Sequence, residues 1–257
     1  MEFFAALKFL TILPLFRKRV DTLEEIGGSI VYYPVVGLII GLALAGLSWL
    51  FRLVLPSPVA NALLIVSLVI ITGALHLDGF IDTCDGIAGH KPAEARWQVM
   101  HDSRSGAFGV VGAVLLLLLE YVMLNSILLP LMTVTLVMMT VFGRWAMVYA
   151  IFAFPYARPE GLGKAIKQSA NWERFTAATV IALAISIVLA RLAGFVHFFV
   201  AGAAIMLAVW VIITVVAAFF KKMFAGLTGD TYGAIDEIAE VSVLLLVILL
   251  AYNHWLV

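Results

Sequence analysis

The sequence is short of charge and of cysteine. Only 12% of its 257 residues are charged, and the 16 basic residues balance the 16 acidic ones, so no global field favours nucleic acid. The single cysteine, Cys84, excludes an internal disulfide. Because 64% of the residues are hydrophobic and the mean hydropathy is +1.11, water cannot be the main solvent of this chain.

Long apolar runs fill most of the chain. A spanning helix needs roughly 20 mostly apolar residues, and the sequence contains segments that reach or approach this length at about 29–51, 59–75, 106–124, 127–154, 175–190, 198–220 and 241–256. The pattern predicts an all-α, polytopic integral membrane bundle of about seven transmembrane helices, within a range of six to eight. We expect a single transmembrane domain over 1–257.

Polar segments alternate with very short connections. They comprise an amphipathic amino-terminal segment at 1–28 and motif loops at about 76–105, 155–174 and 221–240. Most Lys and Arg residues lie in these segments, whereas the short connections hold only Arg52 and Arg191. The positive-inside rule therefore predicts a cytoplasmic amino terminus and a cytoplasmic working face.

The most informative motif runs from His76 to Gly86 and holds three aspartates, Asp78, Asp82 and Asp85. If the preceding apolar helix continues through it, the spacing i, i+4, i+7 places all three carboxylates on one face. Like charges repel there unless a hard cation lies among them, and Mg²⁺ typically takes one or two carboxylates together with substrate phosphates. The motif therefore predicts a metal–diphosphate site, although an acidic solvated helix end is the simpler alternative.

A second polar group, Asp102-Ser103-Arg104, precedes the third apolar run. Asp102 or Ser103 is suited to cap that helix, and Arg104 is suited to bidentate phosphate contact. Arg144 interrupts an apolar run and needs an acidic or phosphate partner, whereas Glu120 is assigned to structure.

The last motif, from Gly226 to Glu240, also leads into a helix. Asp236 and Glu240 are four residues apart, which lets this helix entrance present carboxylates to a shared metal, although helix capping explains some of them equally well. In the central segment, Arg158 and nearby glycines suit an anionic ligand, or simply form a solvated basic loop.

These residues together resemble the cobalamin synthase family, the adenosylcobinamide-GDP ribazoletransferases. Three groups carry the resemblance: His76-Leu77-Asp78-Gly79 with Asp82 and Asp85-Gly86; Asp102-Ser103-Arg104 with Gly106 and Gly109; and Thr228-Gly229-Asp230 with Gly233-Ala234 and Glu240. Weaker matches extend it from Phe9-Leu10-Thr11 through Tyr33-Pro34 to Tyr156-Ala157-Arg158. One departure is His101, where the family pattern leads us to expect Lys or Arg.

The resemblance implies a Mg²⁺-dependent transfer that joins adenosylcobinamide-GDP to α-ribazole or its 5′-phosphate and releases GMP. It also implies the cytoplasmic (inner) membrane of a bacterium or archaeon, no nucleic-acid partner, a possible homo-oligomer, and contacts with other enzymes of the cobalamin pathway. The site residues implied are catalytic Asp82, Asp102 and Arg104; metal-binding Asp78, Asp82, Asp85, Asp230, Asp236 and Glu240; and substrate-binding His76, Ser103, Arg104, Arg144, Arg158 and Thr228.

Three other classes remain as alternatives. CDP-alcohol phosphotransferases also group aspartates at a membrane face, but Ile81-Asp82 stands where their motif has Ala-Arg, and their later aspartates are missing. UbiA-like prenyltransferases use two separated aspartate-rich segments on a larger bundle. A cation-coupled transporter is the non-enzyme alternative, and the concentration of acids at one face weakens it.

Overall fold

The structure is a computed structural model that describes residues 1–13, 21–89, 92–102, 104–194 and 198–253. Within these ranges it is helical, and extended pairing is limited to one bridge between Tyr156 and Leu227. The prediction of an all-α fold is confirmed. The helices are α1 (Glu2–Leu10), α2 (Leu23–Gly28), α3 (Tyr33–Arg52), α4 (Ser57–Thr72), α5 (Leu75–Ile87), α6 (Ala93–Met100), α7 (Ala107–Ser126), α8 (Met132–Ala153), α9 (Leu162–Ser169), α10 (Trp172–Leu192), α11 (Phe198–Phe224) and α12 (Gly229–Tyr252).

Several of these helices are long and apolar enough to cross a membrane. In the described part of the chain they number five, at 23–52, 107–126, 129–153, 172–192 and 199–224. Counting α4 and α5 as one bent span gives six. The predicted seven is not confirmed by this measure, because α4 has only 16 residues and the body of α12 carries acidic side chains. The prediction of a helical membrane bundle agrees with the structure.

A sharp bend separates α4 from α5. The two helices meet at 92° across Gly73 and Ala74, which have φ values of +64° and +59°. Two successive residues in the left-handed region break the helical hydrogen-bond ladder. The expectation that the first aspartate motif continues the apolar helix at 59–75 is therefore wrong. The motif forms a separate helix, α5, that runs across the direction of α4.

Helix α8 is the centre of the bundle, with nearly all of its residues buried. Against α3, a Cβ at Gly37 would lie 2.4 Å from the carbonyl oxygen of Thr140, and the Thr140 hydroxyl donates to the Gly37 carbonyl at 2.7 Å. Small residues at a helix crossing let two backbones approach closely, which is how membrane helices gain packing energy.

The amino-terminal half of α12 packs closely against α5. A Cβ at Gly79 would lie 2.7 Å from the carbonyl oxygen of Asp230, and one at Gly233 would lie 3.0 Å from the carbonyl oxygen of His76. The two motifs, which are about 150 residues apart in sequence, are thus adjacent because glycines on each helix remove the side chains between them.

The predicted motif loops are mostly helical. Helices α5 and α6 occupy most of 76–105, α9 lies within 155–174, and only 225–228 separates α11 from α12 within 221–240. The glycines and aspartates of these motifs suggest loops, but packing against neighbouring helices overrides that local preference. In the amino-terminal segment, Ala5, Ala6 and Leu10 of α1 are buried, so this helix is part of the bundle.

A candidate active site between α5, α7 and α12

Helix α5 carries all three aspartates of the first motif, as the spacing predicts. They do not converge on a single closed site. In the described part of the chain, the trio whose ligand oxygens all lie within 4.8 Å of one another is Glu120, Glu237 and Glu240. The three aspartates of α5 therefore have different surroundings, which decide what each can do.

Asp85 anchors the start of α7. Its carboxylate accepts the backbone N–H groups of Gly106 at 2.7 Å and Gly109 at 2.8 Å. A Cβ at either glycine would lie 2.4 Å from this carboxylate, which explains why the residues that follow Arg104 are small. A carboxylate at a helix amino terminus satisfies unpaired N–H groups and complements the helix dipole. Asp85, rather than Asp102, therefore accepts the N–H groups at the start of α7 in the described part of the chain.

Asp82 lies among other acidic groups on the α5 surface that faces the start of α12. Burial and the nearby charges of Asp78, Asp230 and Asp85 raise its pKa to about 7, while Arg158 acts in the opposite direction. Helix α5 is not one of the five continuous apolar spans. The carboxylates of α5 and α12 are close enough to repel one another.

Arg158 brings the central segment to this cluster. Its guanidinium donates to Asp230 at 2.8 Å, and both side chains are largely buried. Backbone bonds from Ala157 to Leu227 at 2.7 Å and from Leu227 to Pro155 at 2.8 Å hold the segment against the start of α12. The predicted anion-binding arginine thus lies beside the predicted metal ligands.

Thr228 caps α12. Its hydroxyl accepts the backbone N–H of Thr231, and the Thr231 hydroxyl accepts the backbone N–H of Thr228. The hydroxyl of Thr228 also lies 3.4 Å from the carboxylate of Asp230. Thr228 therefore positions Asp230, and its predicted contact with substrate stays a prediction.

A buried ionic network lies behind the cluster. The Nδ1 atom of His76 lies 2.9 Å from Asp236, and Arg144 pairs with Asp236 at 3.1 Å and with Glu240. All four side chains are at most 2% exposed. Two carboxylates predicted as metal ligands are therefore already paired with a guanidinium, and Arg144 lies in the interior instead of at an open surface.

Glu120 approaches the same network from α7. Its carboxylate lies within 4.8 Å of Glu237 and Glu240, and its Oε1 atom has no partner among the described residues. The sequence gives no hint of this contact, because 120 residues separate Glu120 from Glu240 and nothing in the local pattern links them.

Asp102 and Arg104 form an ion pair with each other at the surface. They pair with each other at 2.8 Å, and the Arg104 side chain is 86% exposed. Hydrogen bonds from Arg104 lower the pKa of Asp102 to about 2. Ser103, predicted to bind substrate, lies outside the described residues. Among the described residues, the ion pairs of Asp102 and Arg104 are with each other, beside the start of α7.

A cavity of about 180 Å³ opens beside Asp78 and Asp230. Aromatic and aliphatic side chains form most of its wall, which includes the following residues of α1, α3, α5, α8, α9 and α12: Phe9, Tyr33, Leu75, His76, Met147, Ile151, Leu162, Ile166 and Tyr232. Most of these residues are not predicted as site residues. His76 is a predicted site residue, and Phe9 and Tyr33 are weaker matches to the family pattern.

The donor set fits a hard divalent cation. Asp78, Asp82 and Asp230 offer carboxylate oxygens. Burial and the neighbouring carboxylates raise the pKa of Asp82, so its negative charge is costly there and a bound cation would stabilise it. No three of these ligand atoms form a closed set within 4.8 Å among the described residues. This openness suits Mg²⁺, which keeps several waters and takes the remaining oxygens from substrate phosphates.

Comparisons with known proteins point in one direction. Residues 2–248 match the family model described as cobalamin-5-phosphate synthase. The chain is 36% identical to the adenosylcobinamide-GDP ribazoletransferase of Desulforamulus reducens, over 95% of this chain and 94% of that protein. The protein of the same name from Geotalea daltonii is 38% identical, over 93% of this chain and 93% of that protein. The one from Pseudomonas putida is 34% identical, over 95% of this chain and 97% of that protein. No solved structure matches.

Proposed function

The chain belongs to the cobalamin-5-phosphate synthase family, and on this premise we propose that it is an adenosylcobinamide-GDP ribazoletransferase. It joins adenosylcobinamide-GDP to α-ribazole or its 5′-phosphate, forms adenosylcobalamin or its phosphate, and releases GMP. The observation that carries this assignment beyond the family match is the carboxylate cluster of α5 and α12, with Arg158 beside it and a cavity opening at its edge.

The reaction exchanges one phosphorus–oxygen bond for another. A hydroxyl oxygen of the ribazole ribose forms a bond to the phosphorus that stays with the corrinoid. The bond from that phosphorus to the bridging oxygen breaks, the bridging oxygen leaves with GMP, and the hydroxyl proton passes to solvent. Such a transfer depends mainly on positioning and on neutralisation of the phosphate charge.

Asp78, Asp82 and Asp230 are the residues that would hold Mg²⁺ in this proposal. When bound there, the cation would neutralise diphosphate oxygens and orient the leaving group. Arg158 holds Asp230 and offers its charge to the same phosphates, since its guanidinium lies at the cluster. Asp85 fixes α7 against α5 and stays outside the first ligand set.

The other predicted roles change in part. Arg104 remains a proposed phosphate contact, because its side chain is exposed at the start of α7 and free to move towards a large substrate. Asp102 holds Arg104 until that contact forms. Asp236 and Glu240 neutralise Arg144 and orient His76, which makes them supports of the site in this proposal.

We place this site at the cytoplasmic face of the inner membrane. The support is the bias of Lys and Arg towards the segments that surround the site, and the charged diphosphate of adenosylcobinamide-GDP, which keeps this substrate out of the bilayer. A homo-oligomer and contacts with other enzymes of the pathway stay predictions.

The experiment is a GMP-release assay on detergent-solubilised protein. We expect release only when adenosylcobinamide-GDP, α-ribazole phosphate and Mg²⁺ are all present, and loss of release with EDTA. Asp82→Asn should lower turnover about 100-fold or more, because a metal ligand is lost. Asp21→Asn is the matched control, since Asp21 pairs with Lys8 away from the cluster.

Two outcomes would contradict the proposal. Folded protein that releases no GMP with both substrates and Mg²⁺ is not this transferase, and CDP-alcohols would be tested next. Turnover that survives EDTA unchanged would remove the cation from the mechanism while leaving the transfer itself in place.

A further inference from the structure

The cavity beside the carboxylates is too small for a whole substrate. Its volume of about 180 Å³ is below the roughly 300–1,000 Å³ of pockets that enclose drug-sized ligands. A corrinoid, which is larger still, is therefore excluded from it. The cavity has room for one compact group of a substrate whose remainder lies outside.

The wall of the cavity suits a flat, mainly apolar group. Phe9 and Tyr33 stack with ring centroids 6.3 Å apart, and aliphatic side chains of α8 and α9 complete the wall. Aromatic rings favour offset stacking or edge contact with another ring. This composition therefore favours an aromatic base over a phosphate or a sugar.

Three buried polar atoms of the wall lack partners within the described residues. They are the hydroxyls of Tyr33 and Tyr232 and the Nε2 atom of His76, and these residues are 0%, 4% and 1% exposed. The Nδ1 atom of His76 faces Asp236, so its second nitrogen is left for a ligand. Buried polar groups in native proteins are nearly always hydrogen-bonded, so these three atoms indicate that a bound group supplies missing bonds.

We propose that this cavity binds the base of the ribazole nucleoside. The inference rests on the proposed transferase function, which supplies the two candidate bases, guanine and dimethylbenzimidazole. Asp78 and Asp230 line the same cavity, so a base bound there places its ribose beside the carboxylates where the diphosphate is held. The attacking hydroxyl is thereby positioned next to the phosphorus.

Guanine fits this cavity poorly. Its edge carries an N–H, an amino group, a carbonyl and a ring nitrogen, each of which needs a partner when buried. Asp230 is engaged by Arg158, and Asp78 is assigned to the cation in the proposed function. The polar side-chain atoms that remain in the wall are the hydroxyls of Tyr33 and Tyr232 and the Nε2 atom of His76, fewer than the polar groups of guanine. Dimethylbenzimidazole has one ring nitrogen free to accept a hydrogen bond from the Tyr232 hydroxyl, and its two methyl groups suit an aliphatic wall.

The first test asks which base the cavity binds, by comparing the KM values of the two substrates. Tyr232→Phe removes the hydroxyl and keeps the ring, and we expect it to raise the KM for α-ribazole phosphate about fivefold to tenfold, with the KM for adenosylcobinamide-GDP unchanged. Tyr149→Phe is the matched control, because the Tyr149 hydroxyl bonds to Thr214 outside the cavity. A rise in the KM for adenosylcobinamide-GDP instead would place guanine in the cavity and overturn the proposal.

The second test fills the cavity. Gly229 lines it, and a Cβ at this position would meet no atom within 4 Å, so Gly229→Leu adds volume without a clash at its first carbon. We expect the ratio of kcat/KM for the dimethylbenzimidazole riboside phosphate to kcat/KM for the unsubstituted benzimidazole riboside phosphate to be about tenfold lower in the variant than in the wild type.

The outcomes also separate this inference from the function on which it rests. Wild-type protein that releases no GMP contradicts the transferase itself. If the wild-type protein turns over but Tyr232→Phe leaves the KM values unchanged and Gly229→Leu leaves the base preference unchanged, only the assignment of the cavity is contradicted.

Discussion

Asp82 and Asp85 are three residues apart on α5, yet their neighbours give them different roles. Asp85 accepts two backbone N–H groups of α7, whereas Asp82 lies among the carboxylates of Asp78 and Asp230. The sequence treats them as equivalent members of one motif. The structure separates a residue that holds two helices together from one that is available to a cation.

Replacement of Asp85 should therefore lower stability more than it affects the metal. We expect Asp85→Asn to reduce the free energy of unfolding by about 1–2 kcal/mol, because the amide cannot accept both N–H groups of the α7 terminus. The measurement is thermal unfolding in detergent, together with the Mg²⁺ concentration that gives half-maximal turnover. An unchanged melting temperature with a raised Mg²⁺ requirement would move Asp85 into the first ligand set.

The raised pKa of Asp82 predicts a pH dependence of cation binding. Because Asp82 must lose its proton to bind Mg²⁺, we expect the apparent Mg²⁺ affinity to fall by up to about tenfold per pH unit below pH 7. Isothermal titration with Mg²⁺ between pH 5.5 and 8 measures this, and the same titration of Asp82→Asn is the control. An equal pH dependence in both proteins would assign the proton to another group.

The same shift determines the stability of the metal-free protein. The folded-state pKa of about 7 lies above the ordinary value of 3.8, so the folded state binds the proton more tightly. The stability contributed by Asp82 is therefore fully present below about pH 4 and is lost as the pH rises through 7. Added Mg²⁺ should reverse this loss at neutral pH.

At the scale of elements, the contact between α5 and α12 depends on glycine. Gly79→Ala would place a methyl carbon 2.7 Å from the backbone oxygen of Asp230 and force the two helices apart. We expect turnover to fall about 100-fold, because a displacement of roughly 1 Å between reacting groups costs that much. Gly46→Ala on α3 is the matched control, since its Cβ meets nothing within 4 Å.

This prediction distinguishes geometry from stability. Alanine favours a helix over glycine by about 1 kcal/mol, so both variants gain the same local preference. Comparable turnover in Gly79→Ala and Gly46→Ala would mean that α5 and α12 tolerate separation, and that the carboxylates of the two helices need not act together.

At the scale of the whole molecule, the two ends of the bundle differ in chemistry. One end holds the carboxylate cluster, Arg158 and the cavity. At the connection between α3 and α4, Arg52 instead donates to Asn61 at 2.6 Å, and Asn61 donates to Asn125 at 3.1 Å. This second group is a small polar cap that joins three helices.

The positive-inside rule predicts which end faces the cytoplasm, and cysteine labelling tests it. In a Cys84→Ala background we expect Glu160→Cys to react with a membrane-impermeant maleimide only after the cells are permeabilised. Val54→Cys, which is 80% exposed at the other end, should react in intact cells. The reverse pattern would contradict the cytoplasmic placement of the site.

The sequence by itself determined the helical class, the membrane solvent and the three motif groups, because these follow from composition and from local spacing. It also predicted Asp82, Asp230 and Arg158 as site residues, and the structure brings them together. It could not predict the bend at Gly73 and Ala74, since the left-handed region is open to glycine but is set at Ala74 by tertiary packing. Only the tertiary structure paired Arg144 with Asp236 and Glu240, separated Asp85 from the cluster, and formed the cavity from α1, α3, α8 and α9. The physical reason is the same in each case. The residues that neutralise a charge, accept the N–H groups of a helix start or line a cavity together are far apart in the sequence, so only the folded chain brings them into contact.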